Sequence, residues 1–269
     1  MGKPGKLDRP GEVDNMLDLP RNLTWRRRRI TPLPKEEPGL TELARRMHRF
    51  DLFAPLPEAL CRQLAASARI ESFRAGEVLW HQGEPNRRVL FIERGLAKTE
   101  RRIRKDLSRT YGLYGPGDSM GIYALWTGMR YPTDAVALND GMTALTLSAD
   151  ALVQAVHDQP LLSVPLMEEI GRFTEAFIRK IEIVSAGTVP QRIASFMVML
   201  VERYGTQDGD GSAHLPIYLT LTHIGEIVDA RLETVARVLG DWKRQGWLVM
   251  EGDGFHFQRF DRICALLPE

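Results

Sequence analysis

Cysteine is scarce in this sequence: only Cys61 and Cys264 occur among 269 residues, and they lie far apart. Iron–sulfur clusters and cysteine-rich zinc sites need several clustered cysteines, and small secreted domains need a disulfide framework, so neither class fits. Long apolar runs are also missing, since none approaches the roughly 18 residues of a membrane span. The first residues are too polar for a signal peptide. We therefore expect a soluble cytoplasmic protein that contacts no membrane.

An excess of one charge is lacking as well. The sequence has 36 Lys and Arg against 35 Asp and Glu, a formal net charge of +1, which favours no class of partner. A hydrophobic content of 43% at this length is typical of a folded chain of about two domains. Composition alone leaves the function open.

Residues 1–39 are rich in proline and show little periodicity, which predicts a flexible tail. The tail contains the run Arg26–Arg29. Two interpretations of this run stay open: a solvated stretch, or weak contact with nucleic acid or another acidic surface.

Residues 40–158 are predicted to form a domain that begins with helices and continues with short strands. Leu43 and Met47 lie at helical spacing, and Pro57 suits the first turn of a second helix. From Ile70 onward, β-rich pieces alternate with glycine turns, as in GEVLWHQGEPNRRVLFIERG and DAVALNDGMTALTLS. This pattern is typical of an all-β sandwich or roll.

A long helix and a hinge are predicted over residues 159–187. The apolar positions step by three or four residues: Leu166, Ile170, Phe173, Phe177, Ile181 and Val184. One interpretation is that this row packs against its own domain. The other is a seam against a second copy, because the nearly seven-residue repeat persists over several turns, as in a short coiled coil. The second interpretation predicts a homodimer.

Residues 188–269 contain a helix (QRIASFMVMLVERYG), a short helix (LTHIGEIVD) with Thr222 as its expected N-cap, and a turn near Asp229–Ala230. A longer helix follows, with apolar residues at i, i+3, i+4 and i+7 that we expect to be buried: Val235, Val238, Leu239 and Trp242. Two β segments joined through Gly252–Gly254 form a hairpin. This order of elements is a winged helix-turn-helix.

The second helix of such a unit lies in the major groove of DNA, with its N-terminal outward residues at base edges. Arg237 can donate two hydrogen bonds to a guanine, and Glu233 can accept one from a cytosine while bracing Arg237. Residues 190–269 carry eight Lys and Arg against eleven Asp and Glu, so little non-specific affinity for phosphate is expected. The candidate DNA-binding residues are Thr220, Arg231, Glu233, Thr234, Arg237 and Lys243.

Four stretches resemble motifs of one known family. GEVLWHQGEPNRRVLFIERG is similar to the β-roll signature, YGPGDSMG to the start of the effector loop, and QRIASFM and LTHIGEIVDARLETVARVL to the DNA-binding domain of the Crp/Fnr family of bacterial transcription regulators. The resemblance covers about residues 40–268. It implies an α+β fold: a cyclic-nucleotide-binding-like β roll, a long dimerisation helix and a winged helix-turn-helix. It also implies a homodimer that binds a two-fold symmetric operator in double-stranded DNA and acts with RNA polymerase.

The effector loop departs from the pattern of the members that bind cyclic AMP. Those members carry Gly-Glu for the ribose and Arg-Ser for the phosphate, whereas Ile122 follows Gly121 here and the second pair is Pro132 and Thr133. Arg130 would have to swing in to replace the missing cation. We therefore do not expect cyclic AMP as the ligand; an apolar or unusual effector, or a vestigial pocket in a constitutively active dimer, stays open. The candidate pocket consists of Gly121, Ile122, Leu125, Arg130, Thr133, Phe177 and Ile178.

The resemblance assigns Glu233 and Arg237 to the G·C pair of a TGA-like core, and Leu232 replaces a guanine-reading arginine of some members, which favours a TTGA-like half-site. Haem stays open as a cofactor, since His81, His157 or another histidine could ligate iron, whereas no iron–sulfur cluster and no metal site are expected. The expected function is a transcription regulator without enzymatic activity. The alternatives are a cyclic-nucleotide-domain signalling protein and an interaction protein with a degenerate DNA-binding domain.

Overall fold

The computed structural model describes residues 39–104, 107–125, 130–252 and 254–268. The tail predicted over residues 1–39 lies outside the described residues, except for Gly39. The described chain begins with α1 (Leu40–Met47) and α2 (Glu58–Ala65), and Pro57 is the N-cap of α2 rather than part of its first turn. Met47 and other apolar residues of both helices join one buried cluster with Phe91 of the β roll, so the helices cover one face of the roll.

The described strands of the sensor domain are β1 (Ala68–Phe73), β2 (Val78–Trp80), β3 (Arg88–Arg94), β4 (Ala97–Arg104), β5 (Leu107–Tyr114), β6 (Ser119–Met120), β7 (Asp134–Ala137) and β8 (Met142–Ser148). They form two antiparallel sheets, in the orders β1-β8-β3-β6 and β2-β7-β4-β5. Leu90, Ile92, Ala135 and Met142 belong to one core shared by the two sheets. The β roll predicted from the glycine-punctuated strands is confirmed.

The roll leads into α3 (Ala149–Asp158), a 3-10 turn (Pro160–Leu162) and the 23-residue helix α4 (Ser163–Ser185). Ser148 caps α3, because its hydroxyl accepts a hydrogen bond from the N–H of Ala151. Among the described residues, we find no helix that combines the length and the apolar character needed to cross a membrane.

The last part of the chain is a winged helix-turn-helix, which confirms the predicted order of elements. α5 (Val189–Tyr204) follows a capping box, α6 (Leu221–Val228) and α7 (Leu232–Arg244) form the helix-turn-helix, and α8 (Phe260–Cys264) follows the wing. The wing sheet has the order β11-β12-β10-β9, from β9 (Thr206–Gln207), β10 (Ala213–Leu215), β11 (Leu248–Glu251) and β12 (Gly254–Phe257). As the spacing predicts, α7 buries Val235, Val238, Leu239 and Trp242.

The start of α6 corrects one expectation. Thr220, not Thr222, is the N-cap: its hydroxyl accepts a hydrogen bond at 3.1 Å from the backbone N–H three residues later. Thr222 is exposed within the first turn. At the end of α6, Asp229 adopts the left-handed conformation, with φ 54°, and so turns the chain into α7.

The β roll and the winged domain share apolar packing. Leu96 and Leu113 of the roll, together with Ile183 of α4, belong to one buried cluster with Phe196 and Leu200 of α5. The DNA-binding domain is therefore held against the sensor domain by buried surface as well as by the chain connection.

Candidate nucleic-acid interface and effector cavity

The N-terminal end of α7 presents polar side chains to solvent. Arg231 is the N-cap, and Arg231, Glu233 and Arg237 are all exposed. Between described residues, none of these three side chains takes part in an ion pair, so the predicted brace between Glu233 and Arg237 is not formed. Both side chains are therefore free to contact other groups.

The remaining candidate DNA-binding residues differ in exposure. Lys243 is exposed in the last turn of α7, and its neighbour Arg244 is paired with Asp241. Thr234 is half-buried, and the hydroxyl of Thr220 already serves the cap of α6. A DNA surface could use the exposed residues without rearranging the helix.

Ion pairs join the β roll to the winged domain near the start of α7. Glu226 of α6 pairs with Lys98, which also lies 2.7 Å from Glu100. Asp229, beside the start of α7, lies 3.5 Å from Arg109. Because Lys98 is shared with Glu100 of its own strand, the net offset comes from Arg109, which lies beside the start of α7.

A cavity of about 300 Å³ lies between the β roll and α4. Much of its wall is aromatic: Trp80 stacks on Tyr131 with ring centroids 4.2 Å apart, and Tyr123 stacks on Phe173 at 4.6 Å. Its lining consists of Trp80, Thr99, Arg101, Tyr111, Tyr114, Ser119, Met120, Gly121, Ile122, Tyr123, Tyr131, Pro132, Thr133, Glu169, Ile170, Phe173 and Phe177.

Four of the seven predicted pocket residues line this cavity: Gly121, Ile122, Thr133 and Phe177. The other three do not. Leu125 packs on the apolar cluster beneath α1 and α2, Arg130 donates a hydrogen bond to the carbonyl oxygen of Gly83 at 2.9 Å, and Ile178 is 51% exposed on the outer side of α4. Sequence reasoning missed the tyrosines and Arg101, although the alternation of inward residues along β4 and β5 is a signal that could have indicated them.

Burial keeps several of the lining phenols uncharged. It raises the pKa of Tyr123 to about 12, and it also raises the pKa of Tyr114 and of Tyr131. Among the described lining residues, the charged side chains are therefore those of Arg101 and Glu169.

Glu169 is neutralised within the protein. Its side chain is buried, accepts a hydrogen bond from the hydroxyl of Ser119 at 2.5 Å, and pairs with Arg172 of the same helix. Arg172 also lies 3.3 Å from Asp51. Glu169 thus fixes α4 to the β roll rather than offering a free acceptor to a ligand.

The six apolar residues predicted as a seam on α4 differ in burial. Leu166 is only 4% exposed and belongs to the buried cluster of the sensor domain, against which Ile170 also packs, and Phe173 lines the cavity. These three follow the own-domain interpretation, and the burial of Leu166 contradicts its assignment to a seam. Phe177 and Ile181 are 40% and 55% exposed, and Val184 is half-buried.

Another row of α4 faces outward. Its residues alternate in steps of three and four, and all of them are exposed; we call this row the outer stripe: Val164, Met167, Gly171, Thr174, Ile178 and Ile181. This spacing is that of the a and d positions of a coiled coil.

The histidines considered as haem ligands lie away from the cavity. The side chains of His81 and His157 are 57% and 83% exposed and lie beside Asp134 and Asp158. No histidine occurs among the described lining residues, and the described ranges contain no group of three or more His, Cys, Asp or Glu that could hold a metal ion.

Two residues near the cavity, Asp118 and Lys180, make polar contacts with the winged domain. Asp118, next to the lining residue Ser119, accepts hydrogen bonds from Arg203 at 2.5 Å and from the hydroxyl of Tyr204 at 3.0 Å. Lys180 of α4 donates to the carbonyl oxygen of Ile227 near the end of α6, and burial lowers the pKa of Lys180 to about 8. Both contacts reach helices that position α7.

Two family models match the chain in the order of its domains. The cyclic nucleotide-binding domain matches residues 70–159, and the Crp-like helix-turn-helix domain matches residues 191–266. The first range covers most of the β roll, and the second runs from α5 into the segment that follows α8.

Curated relatives cover both domains. The chain is 27% identical over 192 residues to the CRP-like cAMP-activated global transcriptional regulator of Mycobacterium tuberculosis, covering 71% of this chain and 85% of that protein. It is 26% identical to the global nitrogen regulator of a Nostoc species, covering 68% and 84%. The solved structure of FixK2 from Bradyrhizobium japonicum matches with a TM-score of 0.64 at 21% identity, over 75% of this chain and 98% of that one.

A β roll that encloses a cavity and continues through a long helix into a winged helix-turn-helix defines a DNA-binding transcription regulator with an effector-sensing domain. Within that class, the chain belongs to the Crp/Fnr family, as its two matched domains and its relatives show.

Proposed function

We propose that this regulator binds a palindromic operator as a homodimer, with α7 of each copy in the major groove. The observation that carries the proposal is that Arg231, Glu233 and Arg237 are exposed and form no ion pair with a described residue. They lie at the N-terminal end of α7, where helices of this type contact bases. Arg237 offers two donors to a guanine, and Glu233 offers an acceptor to a cytosine amino group. Leu232 is 46% exposed and has no hydrogen bond to offer, which supports a TTGA-like half-site.

The outer stripe supports the homodimer. Val164 and Met167 are 62% and 65% exposed, and Ile178 and Ile181 are more than half exposed at the other end of the helix. Apolar side chains at a and d spacing on one helix are buried when a second copy of the helix packs against them. The seam that we propose is therefore the outer stripe. It keeps Ile181 of the set predicted from the sequence and excludes Leu166, Ile170 and Phe173.

The effector site is the aromatic cavity, and we propose that cyclic AMP is not its ligand. Ile122 follows Gly121 and is 4% exposed in an apolar cluster, so it offers no acceptor to a ribose hydroxyl. Pro132 and Thr133 line the cavity and bring no cation for a phosphate. The contacts of Asp118 and Lys180 with the winged domain offer a route by which ligand binding changes the position of α7.

The protein regulates transcription with RNA polymerase, not through a catalytic site, and it acts in the cytoplasm, where operator DNA lies. The sequence-level alternative of a degenerate DNA-binding domain rested on the negative charge of residues 190–269. The proximity of Asp229 to Arg109 weakens that alternative.

Selection from a pool of random duplexes with the full-length protein tests the proposal. The expected result is two inverted TGA-like half-sites with centres about 34 Å apart, one turn of DNA, bound by a dimer in sedimentation velocity runs. Arg262→Ala, which removes an exposed arginine outside α7, serves as the control variant. A selected pool without inverted half-sites, or binding by monomers alone, would contradict the proposal.

A further inference from the structure

The aromatic cavity contains one cation that no described residue neutralises. Arg101 is half-buried in the cavity wall, and its side chain takes part in no ion pair or hydrogen bond between described residues. Glu169, the other charged group of the wall, is already paired with Arg172. Among the described residues, none offsets the positive charge that Arg101 brings to the cavity wall.

The strand geometry explains why Arg101 faces the cavity. Side chains alternate along β4, so Thr99 and Arg101 share the face that lines the cavity, while Lys98 and Glu100 share the opposite face, where Lys98 meets α6. The pairing of β4 with β5 shifts register between Thr99 and Glu100, which leaves Tyr111 of β5 as the extra residue of a bulge. Bulges re-aim side chains, and Tyr111 lines the same cavity.

A half-buried guanidinium without a partner is costly, because burial removes water that would solvate it. A carboxylate can accept two parallel hydrogen bonds from the guanidinium of Arg101 and neutralise its charge. The remaining walls suit a flat ring, since Trp80, Tyr123, Tyr131 and Phe173 offer two stacked aromatic pairs. A volume of about 300 Å³ is at the lower end of ligand sites and fits one or two fused rings.

We propose that the effector is a planar aromatic carboxylate, with its ring among the aromatic walls and its carboxylate paired with Arg101. This inference rests on the proposed function, because it names the ligand class of the effector site. A carboxylate suits the cavity better than a phosphate group, which presents more oxygens and up to two charges to a wall that offers a single free cation. The tyrosines stay neutral and donate at most single hydrogen bonds to the acid.

Calorimetric titration of the full-length protein tests the ligand class with matched probes. The acids are benzoate, 1-naphthoate and indole-3-carboxylate, and each has its amide as the uncharged partner of equal shape. We expect at least one acid to bind, and to bind about tenfold or more tightly than its amide, because only the acid pairs with Arg101. Cyclic AMP is titrated in parallel. If no acid binds, or if cyclic AMP binds at micromolar concentration and displaces the acid, the inference is wrong.

Arg101→Gln identifies the residue that makes the difference. This variant should lower the affinity for the acid about tenfold or more and leave the affinity for the amide unchanged, whereas Arg87→Gln, an exposed arginine outside the cavity, should change neither. Thermal unfolding shows whether Arg101→Gln folds. If it does not fold, Arg101→Lys replaces it in the test. Arg101→Lys keeps the charge and should retain part of the preference for the acid. An unchanged preference in Arg101→Gln contradicts the inference. Operator binding is measured separately, so failure of acid binding with intact operator binding rejects the ligand class alone.

Discussion

At the scale of single residues, sequence discrimination should depend on Arg237, which is exposed and pairs with no described residue. Arg237→Ala is expected to cost about 1–3 kcal/mol per half-site and to relax discrimination at one base pair, because a bidentate contact to guanine is lost. Lys243→Ala, at the other end of α7, should weaken all sequences alike and flatten the salt dependence. Glu233→Ala should relax specificity with little loss of non-specific affinity, since it removes a negative charge.

The measurement compares the selected operator with random duplex by fluorescence titration at two or more salt concentrations. Its decisive quantity is the ratio of the two affinities. If Arg237→Ala weakened operator and random DNA equally, α7 would be a charged face that touches DNA without reading it.

The residue that allows the turn between α6 and α7 is Gly225. A Cβ at this position would lie 2.9 Å from the backbone oxygen of Ala230, closer than side-chain atoms approach a carbonyl. Gly225→Ala should therefore lower the free energy of unfolding by about 1–3 kcal/mol, the usual cost of overpacking. Gly240→Ala in the middle of α7 is the matched control: its Cβ would meet only the flexible end of Arg244, so the change should stabilise by about 0.5–1 kcal/mol. Urea titration of both variants shows whether the two changes have opposite signs.

At the scale of elements, α4 serves two contacts at once: its inner side closes the cavity, and its outer stripe remains apolar and exposed. Replacing Ile178 and Ile181 by Glu should give monomers, because like charges would be buried opposite each other at a cost of several kcal/mol. Arg179→Glu changes the charge of the same helix outside the stripe and should leave the dimer intact. Sedimentation velocity at a fixed protein concentration separates the cases, and a double variant that remained dimeric would exclude this seam.

The same helix shows which structural features could and could not be predicted from the sequence. Heptad spacing predicted a long amphipathic helix, and residues such as Leu166 and Ile170 do follow that spacing. Two apolar rows of similar period lie side by side on α4, and only packing against the roll decides which row is covered by its own domain. The cavity poses a related difficulty: Gly121 and Ile122 belong to a recognisable loop, whereas Arg101 reaches the same cavity through the pairing of β4 with β5. Periodicity predicts which residues share a face of a helix or strand, and tertiary packing determines what that face contacts.

At the scale of the whole molecule, β4 lies between the two functional sites. Arg101 on one face lines the cavity, and Lys98 on the other face pairs with Glu226 of α6. A displacement of this strand on ligand binding would therefore act directly on the helix that precedes α7. Asp118 offers a parallel connection, since it bonds Arg203 and Tyr204 next to the lining residue Ser119.

The strength of this connection can be measured at Lys98. Its side chain is buried, and although desolvation opposes the charge, hydrogen bonds to Glu100 and Glu226 raise its pKa. Buried ion pairs couple more strongly than exposed ones. A double-mutant cycle of Lys98→Met and Glu226→Gln should therefore give a coupling of about 1–3 kcal/mol in the free energy of unfolding. The exposed pair of Arg45 and Glu42 is the control and should give a much smaller coupling, because solvent screens it. Hydrogen exchange gives a second measurement. Exchange should be faster in α6 of Lys98→Met than in the wild type, with little change in the first sheet, β1-β8-β3-β6. A coupling no larger than that of the control pair, or faster exchange in the first sheet as well, would mean that β4 does not transmit ligand binding to α7 through this ion pair.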